Sequence, residues 1–468
     1  CYNDIDIENV RILLTNSQIN LNCQDKLSND QTPLCIACQE GQIEIVKLLL
    51  NDNRVDINQG DSDGWTPLLI TCYKGHTDIV ELLLSDQRID IKKTDNNGVT
   101  PFYIACSNGH IEIVRLLLND ERIDINKPTD NGQIPFGIAC QNGHFEIVEL
   151  LLSNERVDVN QRNEDGETGF WLACEKKYLE IVELLLNNER IEINETNNYR
   201  ETPFFFACKS GNIEIVKLLI KAERVDIKRT THGQRPLSIA CENGHTEIVK
   251  LLLNDERVEI NKVDYSTYLT PLCIACYKGS TEIVKLLLND ERVDINKAND
   301  DNRTPFWIVC HQGHTEIVKL FLNDKRVDVN QSNKFSGQTP FWIACHEGYT
   351  EVVKLLLNDY RVDINKAEYL YRRTPLWIAS ENGYFQLIEH MLASGREINL
   401  AAKNCDKKTS IDIAKEVEEE ERRSWESEEK YQETKRKYSK IVNLLESFER
   451  NPNETKIKLR IQLGLSGK

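Results

Sequence analysis

A proline returns along this chain at a nearly fixed interval. Pro33, Pro67, Pro101 and Pro135, then Pro203, Pro236, Pro271, Pro305, Pro340 and Pro375, lie 33 to 35 residues apart. Gly169 stands in the double-length gap between Pro135 and Pro203, and Ser410 continues the series, which gives twelve starts. A chain repeating at this period is built as a one-dimensional array of small units, each unable to bury its apolar face without its neighbours. The usual division of 468 residues into about three globular domains therefore does not apply.

Each start opens a short helix such as Thr32-Pro33-Leu34-Cys35-Ile36-Ala37-Cys38. Proline suits the first helical position because its missing N–H would have no partner there. A glycine, as at Gly41, Gly75, Gly109 or Gly313, then closes that helix in the left-handed conformation. The stretch Glu44-Ile45-Val46-Lys47-Leu48-Leu49-Leu50 spaces its apolar residues as one stripe of a second helix, with its acid in the first turn where the helix dipole favours it. A Val/Ile-Asp-Ile/Val-Asn segment follows, as at Val55 to Asn58, then a turn such as Asp95-Asn96-Asn97-Gly98. The unit is turn, helix, helix, and the fold class is all-α.

These residues resemble the ankyrin repeat, whose pattern opens with Thr-Pro-Leu-His, continues with Gly-His and Glu-Ile-Val-Leu-Leu, and ends in Asp-Val-Asn. The match covers about residues 5 to 449. The resemblance implies an ankyrin-repeat solenoid of helix-turn-helix units with β-turn fingers, a curved stack whose concave face holds protein partners. On this reading residues 1–28 are the second half of a repeat, 29–408 hold eleven repeats, 409–449 are a twelfth, and 450–468 form a short basic tail or helix. Because the chain opens mid-unit and without Met, further sequence is expected before Cys1. Two departures stand out. The link Asn119-Asp120-Glu121-Arg122-Ile123 is one residue longer than the family's, and the family's His is replaced throughout, by Cys35, Trp307, Trp342 and Trp377 among others. The hydrogen bond that this His makes between repeats is expected to be absent.

A formal charge of −17 and a pI near 5.2 oppose nucleic-acid binding, which needs a surplus of Lys and Arg on one face. With mean hydropathy −0.48, no apolar run approaches the roughly 20 residues of a membrane helix. Ten of the fifteen cysteines recur once per repeat in a column from Cys38 to Cys345, which marks a packing position. Free thiols imply a reducing compartment, cytoplasmic or nuclear. Stacked helices about 8–10 Å apart hold neighbouring thiols of that column too far apart for a disulfide or a shared zinc. The pairs Cys35/Cys38 and Cys273/Cys276 lie in separate repeats, so no four-cysteine site is expected. His76, His110, His144, His245 and His314 fall in the Gly-His step and read as structural. No nucleotide, zinc-protease or nucleophile motif occurs, and the Asp56, Asp90, Asp124, Asp158 ladder reads as loop-shaping. We therefore expect no enzyme activity, no cofactor and no metal.

Specificity is expected where the repeats vary, at the turn tips and at the first-helix ends such as Tyr277/Lys278, His311/Gln312 and His346/Glu347. Three late turns are one residue longer than their neighbours and carry Tyr265 and Tyr268, Phe335, and Tyr369 and Tyr371 followed by Arg372 and Arg373. Aromatics and Arg are the usual interface anchors, and these tips have no packing register to satisfy. Trp307, Trp342 and Trp377 form a column in the same region, open to two readings, inter-repeat packing or partner contact. The candidate partner site is thus the concave face of repeats eight to eleven: Tyr265, Tyr268, Tyr277, Trp307, His311, Phe335, Trp342, His346, Tyr369, Tyr371, Arg372, Arg373 and Trp377.

Two irregularities remain. Repeat five has Gly169 for Pro and Lys177 where its neighbours have Gly, so a strained, weaker joint is expected there. Between Ser410 and Ile441 the twelfth unit carries 19 extra charged residues, read as a helical hairpin turning near Ser424 to Ser427, either a solvated arm or an antiparallel coiled-coil arm. The expected function is a non-catalytic scaffold or adaptor, a monomeric array binding one or more proteins. The alternative is a regulatory array of a larger enzyme or channel.

Overall fold

The structure, a computed structural model, describes residues 7–420 and 427–465. Among these are 26 helices and no strand, only an isolated bridge between Asp25 and Gln31. The chain divides into two compact units, Cys1–Thr231 and His232–Lys468, and each is an all-α stack of helical hairpins.

In the first unit a lone helix Ile7–Leu14 precedes six hairpins, from Pro33–Gln39 with Ile43–Leu50 to Pro203–Ser210 with Ile213–Lys221. The second unit runs from Pro236–Glu242 to a long helix Glu428–Arg450 and a final helix Pro452–Gln462. Most first helices start alike, with a threonine hydroxyl accepting a backbone N–H three residues on, as Thr304 does from Trp307 at 3.0 Å. Two do not. Ile134 and Arg235 occupy the cap position without a side-chain cap, and the residue three positions on is small in both, Gly137 and Ser238. A Cβ at Gly137 would lie 2.6 Å from the Ile134 side chain, so the small residue makes room for the bulky cap.

The cysteine column is buried among Leu, Ile, Val and Ala, and its thiols are free. Burial pushes thiols such as Cys106 and Cys310 far above their ordinary range, so they act as small apolar groups. In the second helices Ile45, Val46 and Leu49 and their equivalents face inward, while the acid at position 44 stays exposed.

Four sets of side chains join consecutive repeats. First, where a ring follows the closing glycine it lies against the previous repeat's glycine: His110 Nε2 is 3.0 Å from the Tyr73 carbonyl oxygen, and a Cβ at Gly75 would meet that ring at 2.6 Å. The glycine is required both by φ +82° and by the neighbour's ring. Second, the ladder asparagine bridges with both ends of its carboxamide. Asn160 Nδ2 donates to the Arg190 carbonyl at 2.7 Å while its Oδ1 accepts from the Glu192 N–H at 2.9 Å. Third, the link arginine reaches back, as Arg190 does to the carbonyls of Leu152 at 2.8 Å and Val157 at 2.6 Å. The lengthened link thus supplies a cation to the carboxyl end of the preceding helix. Fourth, the position of the family's His keeps an inter-repeat bond in some repeats, contrary to the expectation from sequence, while in others it is absent as expected: the indole N–H groups of Trp171 and Trp377 have no partner among the described residues. Trp307 Nε1 donates to Gln338 O at 2.9 Å, Trp342 Nε1 to Arg373 O at 2.8 Å, and the Cys35 thiol lies 3.6 Å from Gln59 O. Indole and thiol carry the donor that imidazole was expected to take away with it.

In the fifth repeat Lys177 closes its helix at φ +68°, in the region L side chains rarely adopt. Gly169 replaces proline because the Phe136 ring fills the space, 2.7 Å from where a Cβ would stand. At the far end Tyr438, within Glu428–Arg450, packs against Gly383 and donates its hydroxyl to the Glu381 carbonyl. It stands three residues before Ile441, as His76 stands before Ile79, so the second part of this helix takes the place of a repeat's second helix. Of the expected hairpin turn, residues 424–426 lie outside the described residues, and Ser427 caps the long helix. The helix Pro452–Gln462 packs on Phe385–Ala393 and Glu428–Arg450, with Leu459 buried and Gln462 Nε2 donating to Glu389 at 3.0 Å.

Candidate partner-binding surface

Within the second unit the finger turns and the first-helix ends lie side by side. In an ordinary finger the first side chain clamps its own backbone: Asn299 Oδ1 accepts from the N–H groups of Asp301 at 3.1 Å and Arg303 at 2.8 Å. The three longer fingers close in the same way. As Asn302 does at φ +58° in the ordinary finger, each puts one residue in the left-handed region two places before the capping threonine, Tyr268 at φ +57°, Gly337 at φ +73° and Arg372 at φ +57°. Two of these are non-glycine residues held in a sparsely populated conformation. In the last of the three, Glu368 is buried and its carboxylate accepts from the N–H groups of Leu370, Tyr371 and Arg373.

The longer fingers display their aromatics. Tyr265, Tyr268, Phe335, Tyr369 and Tyr371 are each more than half exposed, as is Tyr277 on the helix below. Tyr369 nevertheless has a packing role that the sequence did not suggest: its ring lies over Gly337 and its hydroxyl is 3.1 Å from Ser332 Oγ. Tyr268 and Tyr277 come together with Trp307 and His311 in one cleft of about 460 Å³, whose other wall is the finger Asn299, Asp300, Asp301 and Arg303.

The tryptophans are buried, with exposures of 3% for Trp307, 1% for Trp342 and 4% for Trp377. Each of the first two stacks on a histidine one helical turn later. Trp307 and His311 have centroids 5.1 Å apart at 17°, and Trp342 and His346 5.3 Å apart at 14°. The imidazoles of adjacent repeats flank one carboxylate oxygen, Glu347 Oε1, at 2.9 Å from His346 Nδ1 and 4.0 Å from His311 Nε2. Burial lowers the pKa of His311, with Glu347 acting the other way.

Of the groups that cover the tryptophans, sequence reasoning missed Arg303 and read Arg373 as a partner contact at the finger tip. Arg303 lies over Trp307 at 5.0 Å and 3.7 Å from Asp301. Arg373 lies over Tyr371 at 4.7 Å and Trp377 at 5.6 Å, paired with Glu368 at 3.2 Å and Glu381 at 3.6 Å. The signal was present as Arg-Thr-Pro-Phe-Trp and Arg-Thr-Pro-Leu-Trp, an Arg four residues before each Trp. Arg373 is thus held inside the face, while Arg372 stands exposed at its rim.

The family model for ankyrin repeats matches segments from residue 1 to residue 402, among them 1–95, 138–231, 256–333 and 306–402. The chain belongs to the ankyrin-repeat family. No curated protein matches it. Ankyrin repeats are in general protein-interaction modules and ankyrin-repeat proteins are typically non-catalytic. The surface just described consists of ankyrin fingers and first-helix ends. Among the described residues no helix is long and apolar enough to cross a membrane, and no group of three His, Cys, Asp or Glu is placed to hold a metal ion.

Proposed function

We propose that this chain is a non-catalytic scaffold that captures partner proteins on the finger and helix-end face of its second unit. The observation that carries the reading is the cleft at Tyr268 and Tyr277, where exposed aromatic rings border a buried Trp307. Exposed rings beside a well-packed floor are the arrangement of an interface anchor, since they lose water on contact while the floor does not have to move. Phe335 and Tyr371 extend the same kind of surface along the neighbouring fingers. Trp307 and Trp342 support the face from beneath. The buried free thiols favour a reducing compartment, cytoplasmic or nuclear.

The test is affinity capture with the full chain, native or carrying Tyr268→Ala, Phe335→Ala, Tyr369→Ala and Tyr371→Ala together, read by mass spectrometry alongside thermal unfolding. Proteins held by the native chain and lost by an intact variant support the reading. Identical captured sets from two equally folded chains would move the site elsewhere. For a purified partner, each true anchor changed to Ala is expected to cost about 2 kcal/mol or more.

A further inference from the structure

The carboxamide ladder lacks its asparagine at Lys92, as it does again at Lys228 near the end of the first unit. At nine steps an asparagine, from Asn22 to Asn365, donates to a carbonyl of the next loop and accepts an N–H from it, as Asn58 does with Arg88 O at 2.8 Å and Asp90 N at 2.7 Å. At position 92 the residue is lysine, and its side chain is exposed. Across from it the Arg122 carbonyl and the Asp124 N–H have no hydrogen-bond partner among the described residues. The arginine ladder lapses at the same step. The guanidinium of Arg122 bonds only to Asp120 in its own link, at 2.5 Å and longer, whereas Arg88 and Arg156 reach helix carbonyls of the preceding repeat at 2.7 and 3.2 Å.

A backbone bond from the Asp130 N–H to the Asn97 carbonyl at 2.9 Å still joins the two fingers, but nothing among the described residues takes the place of the carboxamide. A cavity of about 310 Å³ opens beside these groups, lined by Ile91, Lys92, Pro101, Phe102, Ile123, Asp124 and Lys127. That volume is at the small end of ligand pockets. We propose that this gap is a binding site for a small molecule carrying a primary carboxamide on an apolar, ring-sized body. The guest takes the seat that asparagine fills elsewhere. Its carbonyl oxygen accepts from the Asp124 N–H, its NH2 donates to the Arg122 carbonyl, and its body lies on Ile91, Phe102 and Ile123. A carboxylate meets only half of this seat, because it has no proton to give the carbonyl. Lys92 and Lys127 in the lining are the one feature favouring an anion, and the experiment separates the two chemistries.

The probe is benzamide, observed by saturation-transfer NMR with the full chain, beside benzoate and N,N-dimethylbenzamide. The expected result is transfer to benzamide that is at least about fivefold stronger than to either analogue, the ratio expected for about one hydrogen bond. Lys92→Asn supplies the missing carboxamide from the chain itself. It is expected to raise the melting temperature, which shows the variant folded, and to weaken benzamide transfer by about the same factor. No transfer to benzamide, transfer to benzoate equal to or above it, or unchanged transfer in a folded Lys92→Asn chain each overturns the proposal.

Discussion

Asp264 turns its carboxylate away from its own finger and accepts a hydrogen bond from the Arg235 backbone N–H at 3.2 Å. Arg235 stands where other repeats have a capping threonine, so the acid of the next finger serves the uncapped helix. Its second oxygen is buried without a hydrogen-bond partner among the described residues. Burial pushes the carboxyl up to about 7, with the nearby Ser238 hydroxyl and Arg235 acting the other way and Glu242 adding to it. The folded state therefore holds a proton that the unfolded chain, with its carboxyl near 3.8, has released. Stability attributable to this group falls as pH rises from about 4 to about 7 and is level above that. Asp264→Asn keeps the acceptor and removes the ionisation. Its melting temperature is expected to match the native chain at pH 4 and to exceed it at pH 8, by about 1–3 kcal/mol in stability. Parallel pH profiles for the two chains would refute this.

Lys177 ends its helix in a conformation that glycine adopts freely. Lys177→Gly is expected to stabilise the first unit by about 1 kcal/mol, and hydrogen exchange over residues 165–185 should slow by the corresponding factor. A loss of stability would mean that the side chain contributes more than the strain costs.

Asn160 makes two bonds to the next loop, and its replacement by Ala leaves the Arg190 carbonyl and the Glu192 N–H to be met by water. The expected cost is about 2 kcal/mol, read from chemical denaturation of the full chain. A change under about 0.5 kcal/mol, the scale of an ordinary surface substitution, would make the ladder ornamental.

Trp342 and Tyr277 lie in the same face and are expected to respond in opposite ways. Trp342→Ala removes a buried indole, its bond to Arg373 O and its stack with His346, at an expected cost of about 3–5 kcal/mol in the second unit. Tyr277→Ala is expected to stay within about 0.5 kcal/mol in stability. Equal losses would show that the exposed tyrosine is a packing residue.

The helices, their caps and their order were readable from Thr-Pro and Gly alone, because a cap and a left-handed closure are local demands on one residue. The hidden cysteine column was readable for the same reason, being fixed by its place in a repeated pattern. What escaped were the contacts between repeats. A link arginine reaches carbonyls that lie more than 30 residues back, and nothing near Arg190 in the sequence names Leu152. The face suffered in the same way. Trp307 can be placed on its helix from spacing, but its burial and its bond to Gln338 depend on the next finger's position. Tyr369 was readable as a tip aromatic and not as the partner of Gly337, because that glycine belongs to the previous finger.

In a β-sheet, neighbouring strands are tied by main-chain groups, and almost any sequence preserves the ties. Here a main-chain bond such as Asp130 N–H to Asn97 O joins neighbouring fingers, but the loops below them are tied by a side-chain amide and a guanidinium, so a single codon can cut those ties without disturbing either helix of the hairpin. At Lys92 such a cut is already made. The compliance of the array is thus written step by step in its loops, independently of its core, and a pull on the first unit would concentrate its stretch where asparagine gives way to lysine.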